Sequence, residues 1–157
     1  MKYLCDQMIG TLAKWMRIYG LDTFYANSEM DDSELIKICK NEKRALITRD
    51  KDLIIRARRE NIKTIEIKSI DINYQIKTII ADIEIDSKRF LSRCILCNSE
   101  VQDIKKLEVK NKVPERIYKN NKKFWYCKNC NKIYWKGSHF ENMIEKINEI
   151  EKSTEAS

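Results

Sequence analysis

The chain has 157 residues and a formal net charge of +7, with 31 Lys and Arg against 24 Asp and Glu. This length predicts one domain, or one domain with a small appendage, and no apolar run approaches the roughly 20 residues that a membrane span needs. Because Asp6, Lys14 and Arg17 interrupt the apolar stretch near the start of the chain, we expect no signal peptide and a cytoplasmic protein without membrane contacts.

Residues 1–90 alternate short apolar runs with segments of helical spacing. Gly20 suits the left-handed end of the first predicted helix, and Asp31 with Glu34 forms a capping-box pattern at the start of the second. Strands are predicted at residues 3–5, 23–26, 45–48 and 64–67, and helices at 8–19, 31–41, 50–59 and 74–83. This order predicts an α/β fold with a parallel sheet flanked by helices, because crossovers between parallel strands are nearly always right-handed.

The pattern changes after residue 90. Short strands and the one proline, Pro114, occupy the region up to residue 134. Ser138 and Glu141 then form a second capping-box pattern, which predicts a final helix. We therefore expect a first lobe over residues 1–90 and a second unit over residues 91–157.

Four of the six cysteines form two CxxC pairs with 29 residues between them. Two such turns can place four thiolates around one tetrahedral zinc, and a module of roughly 45 residues needs a structural metal because its own core is small. A redox-active CxxC and metal-free core cysteines are the alternatives, and Cys5 and Cys39 are predicted to be small core residues. The predicted ligands of one structural zinc are Cys94, Cys97, Cys127 and Cys130.

The segment ITRDKD places Asp50 and Asp52 directly after the third predicted strand. Taken alone, Asp50 is an obvious N-cap of the following helix, and Asp52 is a favourable charge in its first turn. However, Asp6 follows the first strand, and Asp31 and Asp32 open the helix after the second. Because ligands bind at the carboxyl ends of parallel strands, three junctions are expected to bring carboxylates to one crevice.

Several carboxylates this close together require either raised pKa values or bound cations. All-oxygen ligands without His or Cys favour Mg²⁺ or Mn²⁺. Such ions suit phosphoryl chemistry, in which the metal activates a water and stabilises the leaving oxygen. The predicted catalytic and Mg- or Mn-binding residues are Asp6, Asp32, Asp50 and Asp52.

The basic excess of the chain lies in residues 93–139, which carry 12 Lys and Arg against 4 Asp and Glu. This block suggests a polyanion partner such as nucleic acid, and a solvated lysine-rich surface is the alternative. For His139, the one histidine, a structural or RNA-contacting role is expected rather than a catalytic one. The predicted nucleic-acid contacts are Lys14, Arg17 and Arg49 near the crevice, and Lys119, Lys122 and Lys123 in the basic block.

Five motifs occur in order along residues 1–143. They are CDQMIGTLAKWMRIYGLDT, DDSELI, LITRDKDL, the paired CxxC and WYCKNCNKIYWKGSHFENM. In this order the chain resembles the PIN-like ribonuclease family named for the C-terminal domain of the Mut-seven exonucleases. The resemblance implies a PIN-like nuclease lobe followed by a zinc ribbon and a terminal helix. It also implies metal-dependent hydrolysis of RNA at Asp6, Asp32, Asp50 and Asp52, with Asp31 as the alternative to Asp32.

Two functions from different classes stay open from the sequence. The first is a metal-dependent ribonuclease whose basic zinc ribbon aids RNA binding. The second is a non-catalytic zinc-ribbon protein that binds RNA or the ribosome, in which the carboxylates serve structure. A signalling domain phosphorylated at Asp50 is disfavoured, because Gln7 rather than a second acid follows Asp6 and because the ribbon would have no role.

Overall fold

The computed structural model describes residues 1–155, apart from the side chains of residue 139 and residues 153–155. Its first sheet has four parallel strands in the order β2-β1-β3-β4. The parallel sheet predicted from the alternating pattern is therefore confirmed. The strands are β1 (Lys2–Cys5), β2 (Thr23–Tyr25), β3 (Arg44–Thr48) and β4 (Thr64–Glu66).

Helices cover both faces of this sheet. The first and last of them pack on one face, and the middle two pack on the other. Alternation along β1 explains this division, since Tyr3 and Cys5 enter the first core and Leu4 enters the second. The helices are α1 (Gly10–Ile18), α2 (Asp32–Glu42), α3 (Lys51–Arg59) and α4 (Ile72–Asp82).

The ends of these helices follow local rules. Gly20 has a φ of 83°, as predicted for a left-handed helix end, and a Cβ there would lie 2.2 Å from the carbonyl oxygen of Arg89. The predicted capping box of α2 is present between Asp31 and Glu34. The helix predicted from residue 8 begins instead with a 3-10 turn over Gln7–Ile9, and α1 follows it.

The second unit contains a small antiparallel sheet with strand order β5-β6-β7. A long helix, α7 (Ser138–Glu155), ends the described chain. The N–H of Glu141 donates to the carbonyl of Gly137 (3.1 Å), so the helix is capped at Gly137, one residue before the predicted cap. The other elements are β5 (Gln102–Ile104), α5 (Lys106–Val109), α6 (Glu115–Asn120), β6 (Phe124–Cys127) and β7 (Lys132–Tyr134).

Helix α7 packs on the first lobe. Phe140 and Ile147 are buried in the core that α1 and α4 form against the parallel sheet. Phe140 also lies against Phe90, with ring centroids 6.4 Å apart. The terminal helix therefore completes a core of the first lobe. No helix within residues 1–155 is both long and apolar enough to cross a membrane.

Candidate metal sites and nucleic-acid contacts

Three of the predicted carboxylates line one small cleft of about 60 Å³. We call it the carboxylate cleft. Asp6 reaches it from the end of β1, Asp50 from the end of β3, and Asp32 from the first turn of α2. Ala26 and Asn27, directly after β2, contribute to the same lining. The structure thus brings these three carboxylates to the carboxyl ends of the parallel strands, where ligands bind in open α/β sheets.

Asp6 is held in place by neighbouring donors and is only 5% exposed. The N–H of Met8 donates to its Oδ1 (3.0 Å), and the hydroxyl of Thr48 donates to its Oδ2. The N–H of Asp50 in turn donates to the Thr48 hydroxyl oxygen (3.0 Å). Thr48 therefore connects Asp6 to Asp50 and fixes one relative to the other.

The pKa of the Asp6 carboxyl is raised above its ordinary value. Burial is the largest cause, because it disfavours the charged form. The hydrogen bonds from Thr48 and Met8 act in the opposite direction, and the negative charges of Asp50 and Asp32 raise the pKa further. A cation in the cleft would stabilise a buried carboxylate that faces two others.

The two carboxylate oxygens of Asp50 have different surroundings. Asp50 caps α3, because its Oδ1 accepts the N–H groups of Asp52 (2.9 Å) and Leu53 (3.2 Å). In the described part of the chain, no protein group donates to its Oδ2. One oxygen therefore serves the helix, and the other is available to a ligand in the cleft.

Asp31 and Asp32 are neighbours in sequence but make different contacts. The side chain of Asp31 accepts the N–H of Glu34 (2.9 Å), and the Glu34 carboxylate accepts the N–H of Asp31 (3.0 Å). Asp31 is therefore engaged in the cap, while Asp32 lines the carboxylate cleft. Asp52 lies on the exposed first turn of α3 and is not part of the cleft lining, in contrast to the other three predicted acids.

Sequence reasoning missed Thr48. The sequence offered one signal for Thr48, which lies two residues before Asp50 at the end of a buried strand. Its hydrogen bond to Asp6, however, depends on the pairing of β1 with β3. The register of that pair sets Cys5 opposite Ile47. Asp6 and Thr48, the next residues of the two strands, are thereby brought together.

The four cysteines form the second site. Their Sγ atoms all lie within 4.8 Å of one another, and those of Cys97 and Cys127 are 3.5 Å apart. A tetrahedral zinc with Zn–S bonds of about 2.3 Å sets its sulfur atoms about 3.8 Å apart, so this donor set fits one zinc. Among the side chains described for residues 1–152, no other group of three or more His, Cys, Asp or Glu has its ligand atoms this close. The acids of the carboxylate cleft are therefore spread more widely than the cysteines.

Hydrogen bonds to Cys94 and Cys97 favour the thiolate form of these two residues. The hydroxyl of Tyr134 lies 3.0 Å from Cys94 Sγ, and the N–H of Ile95 donates to the Tyr134 oxygen (3.1 Å), which leaves the hydroxyl proton for the sulfur. At Cys97, burial raises the thiol pKa, but hydrogen bonds with Ser99, Cys127 and Cys130 together outweigh it and lower the pKa to about 6. Burial raises the pKa of the Cys127 thiol, and the hydrogen bond with Cys97 raises the pKa of the Cys130 thiol. All four cysteines are positioned to bind one structural zinc.

The burial of Arg17 contradicts one prediction. Arg17 was expected to contact nucleic acid, but it is only 8% exposed. Its Nε donates to the carbonyl of Thr23 (2.9 Å) and its Nη1 to the carbonyl of Ile95 (2.8 Å). Position 17 lies on the helix face that meets the first CxxC turn, so the guanidinium joins the first lobe to the zinc ribbon instead of meeting solvent.

The other predicted basic contacts lie on or near the surface. Lys14 is exposed on α1, and Arg49 is half-buried between Thr48 and Asp50. His139 lies outside the described side chains, so its predicted role stays a prediction. Lys119 pairs with Glu115 (3.0 Å). The three predicted contacts in the basic block, Lys119, Lys122 and Lys123, are all exposed.

The zinc ribbon docks on the end of the sheet opposite the carboxylate cleft. Asn98, directly after the first CxxC, accepts the N–H of Thr23 (2.9 Å) and donates to Asp22 (2.8 Å). Asp22 also pairs with Arg44 (2.8 Å) and contacts Arg93 (3.7 Å). These contacts lie at the start of β2, whereas the cleft lies beyond its end. The docking surface of the ribbon and the carboxylate cleft therefore lie at opposite ends of β2.

The family comparison agrees with the motifs. A family model described as the Mut7-C RNAse domain matches residues 1–147. Comparisons with curated proteins and with solved structures give no match. The matched residues include both the carboxylate cleft and the four cysteines.

Proposed function

The chain belongs to the Mut7-C RNAse domain family, and from this membership we propose that it hydrolyses RNA phosphodiester bonds at the carboxylate cleft with Mg²⁺ or Mn²⁺. The observation that carries the proposal is the buried Asp6 carboxylate, which shares one cleft with Asp32 and Asp50. Capping alone does not account for this arrangement, because Asp32 caps no helix and Asp31 already serves α2.

The proposed ligands of the divalent ion are Asp6, Asp32 and Asp50. Their oxygens are hard donors suited to Mg²⁺ or Mn²⁺. The second oxygen of Asp50 accepts no protein hydrogen bond in the described part of the chain, nor does either oxygen of Asp32. Asp52 has a supporting role in the proposal, as a negative charge in the first turn of α3.

When bound, such an ion supplies an activated water and stabilises the leaving oxygen of the phosphodiester. The protein contributes position and charge. Thr48 holds Asp6 and the backbone of Asp50 in fixed relation, and the 3-10 turn after Asp6 orients its Oδ1. Because Asp6 is buried, water has little access to its carboxylate, which strengthens its attraction to a cation.

The ribbon is proposed to bind RNA through its basic surface. It meets the first lobe at the start of β2, so RNA that contacts both sites must extend past α1, which is roughly 13 Å long. Lys14, exposed on α1, and Arg49, beside the cleft, are proposed to contact phosphates along that path. Because the two sites are separated by the length of α1, a substrate that contacts both would be a single strand of several nucleotides and not a mononucleotide.

Replacing Asp32 and Asp31 in turn tests the nuclease proposal with neighbouring residues. Asp32→Asn is expected to lower Mn²⁺-dependent cleavage of single-stranded RNA by about two orders of magnitude or more, because a cleft ligand loses its charge. Asp31→Asn is expected to cleave as the wild type does, since Asn caps a helix about as well as Asp. The measurement is the single-turnover cleavage rate with Mn²⁺ and with chelator.

Equal rates for Asp32→Asn and the wild type would favour the second candidate function, a non-catalytic protein that binds RNA or the ribosome. The observation that favours this candidate is the charge of residues 93–139, whose 12 Lys and Arg stand against 4 Asp and Glu. A chain that binds RNA but shows no metal-dependent cleavage would be assigned to that class.

Charge reversal in the basic block tests the RNA-binding role of the ribbon. Changing Lys119, Lys122 and Lys123 to Glu should weaken RNA affinity and reduce the slope of log K against log salt by about two, because a single strand releases about 0.7 counterion for each phosphate contact. Fluorescence anisotropy across a salt series measures both quantities. The matched control changes three exposed lysines of the first lobe to Glu, namely Lys37, Lys40 and Lys63.

The control carries the same change in net charge, and Lys40 pairs with Glu60 much as Lys119 pairs with Glu115. If both triple variants lose affinity equally, only net charge matters. The lysines of the ribbon would then be a solvated surface.

A further inference from the structure

Two large apolar side chains are exposed beside the carboxylate cleft. Met8, which lines the cleft, is 58% exposed, and Tyr25, the last residue of β2, is 39% exposed. The residue after Tyr25, Ala26, is buried and belongs to the cleft lining. Apolar surface at the rim of a charged cleft suits a ligand that is charged in one part and flat and apolar in another.

The ring of Tyr25 is fixed in this position. Its hydroxyl donates to the carbonyl of Gln7 (2.9 Å), and Gln7 itself lines the cleft. The ring lies over Gly10, where a Cβ would come within 2.6 Å of the Tyr25 oxygen and 2.8 Å of ring atom Cζ. Glycine at the start of α1 thus leaves the space that lets the ring lie against the helix.

A positively charged side chain, that of Lys14, lies along the same surface. Lys14 is exposed one helical turn after Gly10, and residues four apart occupy the same face of a helix. Among the side chains that the structure describes, Lys14 makes no salt bridge. An exposed ring and a thioether therefore lie beside the cleft, and a lysine lies on the face of α1 that the ring covers at Gly10. These groups complement the base and the phosphate of a nucleotide.

Resting on the proposed ribonuclease function, we infer that Tyr25 and Met8 form a stacking platform for one unpaired nucleobase of the RNA, with Lys14 at an adjacent phosphate. The flat ring accepts any base, since every base has a π-face. Internal bases of a duplex are stacked on each other and offer no free face to the ring. The platform therefore makes the cleft selective for single-stranded RNA.

The test compares RNA binding by Tyr25 variants in the Asp32→Asn background, which keeps the RNA uncut. Tyr25→Ala should weaken the affinity for a short single-stranded RNA about tenfold, as expected when one base loses its stacking partner, and leave duplex affinity unchanged. Tyr25→Leu, which fills the space over Gly10, should show the same loss, whereas Tyr25→Phe should bind nearly as the unchanged background does. Tyr74→Ala, which removes a 64% exposed tyrosine outside the cleft lining, is the matched control and should have no effect.

An RNA carrying 2-aminopurine supplies a spectroscopic readout, because stacking on an aromatic ring quenches the fluorescence of this base. The quenching should persist in Tyr25→Phe and disappear in Tyr25→Ala and Tyr25→Leu. The inference would be overturned if the Tyr25 substitutions changed neither binding nor quenching, or if they weakened the binding of single-stranded and duplex RNA equally. Neither result would contradict the proposed ribonuclease function. If the Asp32→Asn protein and the wild type bind neither RNA, the proposed function falls together with the inference.

Discussion

Asp50→Asn is expected to lower Mn²⁺-dependent RNA cleavage by about two orders of magnitude or more without destabilising the metal-free protein. The amide oxygen of Asn can accept the N–H groups of Asp52 and Leu53 as Oδ1 of Asp50 does, so α3 keeps its cap. The amide nitrogen would then replace Oδ2, and a neutral donor there does not bind a cation. Loss of several kcal/mol of metal stabilisation corresponds to such a fall in rate.

The direction of the change in stability caused by Asp50→Asn can also be predicted. The charge of Asp50 is one cause of the raised pKa of Asp6, so ionised Asp6 makes folding less favourable at neutral pH. Removing that charge relieves the repulsion, and the thermal midpoint without divalent ions should stay the same or rise. The paired measurement is the thermal midpoint in chelator and the cleavage rate with Mn²⁺.

Asp71→Asn is the matched control for this variant. Asp71 caps α4 in the same manner, since its Oδ1 accepts the N–H groups of Asn73 (2.8 Å) and Tyr74 (3.4 Å), and it does not line the carboxylate cleft. It should keep both its stability and its cleavage rate. If Asp50→Asn cleaved as fast as Asp71→Asn, the aspartates of ITRDKD would be helix caps and the nuclease proposal would fail.

Removal of zinc is expected to unfold the ribbon and to loosen β2. The binding energy of a structural zinc is also folding energy, so residues 93–137 should lose their protection from amide exchange when a strong chelator removes one zinc per chain. The N–H of Thr23 donates to Asn98, directly after the first CxxC, so this amide should lose protection too. Amides of β1 and β3, central in the sheet, should remain protected.

Elemental analysis and hydrogen-exchange mass spectrometry check this prediction. Cys127→Ser should reproduce the effect of the chelator, because one ligand is lost. The matched control is Cys39→Ala, since Cys39 is buried in the first lobe and does not belong to the four-cysteine cluster. It should retain one zinc and ordinary exchange in the ribbon. A wild-type protein that contains no zinc when purified without chelators would contradict the assignment.

Local sequence patterns predicted those features of the fold that neighbouring residues determine. The alternation of apolar runs gave the four parallel strands and their helices, and the CxxC spacing identified the four cysteines that come together. Asp6 and Asp50 were predicted to lie at the same edge because both follow strands of a parallel sheet, and they share one cleft because β1 pairs with β3. The Asp31 cap was likewise readable from the Glu34 three residues later.

Features that depend on long-range packing were not predictable. Arg17 has the spacing of a surface residue, and its burial follows from the docking of the first CxxC turn on α1, which no local pattern encodes. Asp52 falls outside the cleft because the helix rotates it away from Asp50 within the first turn. The bond between Thr48 and Asp6 requires the register of β1 with β3.

The most direct test of the carboxylate site is Mn²⁺ anomalous scattering from a crystal of the wild-type protein soaked in Mn²⁺. We predict a peak in the carboxylate cleft within coordination distance of Asp6 and Asp50, at the oxygen of Asp50 that does not cap α3. A well-ordered cleft with no Mn²⁺ peak, or a peak only elsewhere on the surface, would contradict the proposed metal site.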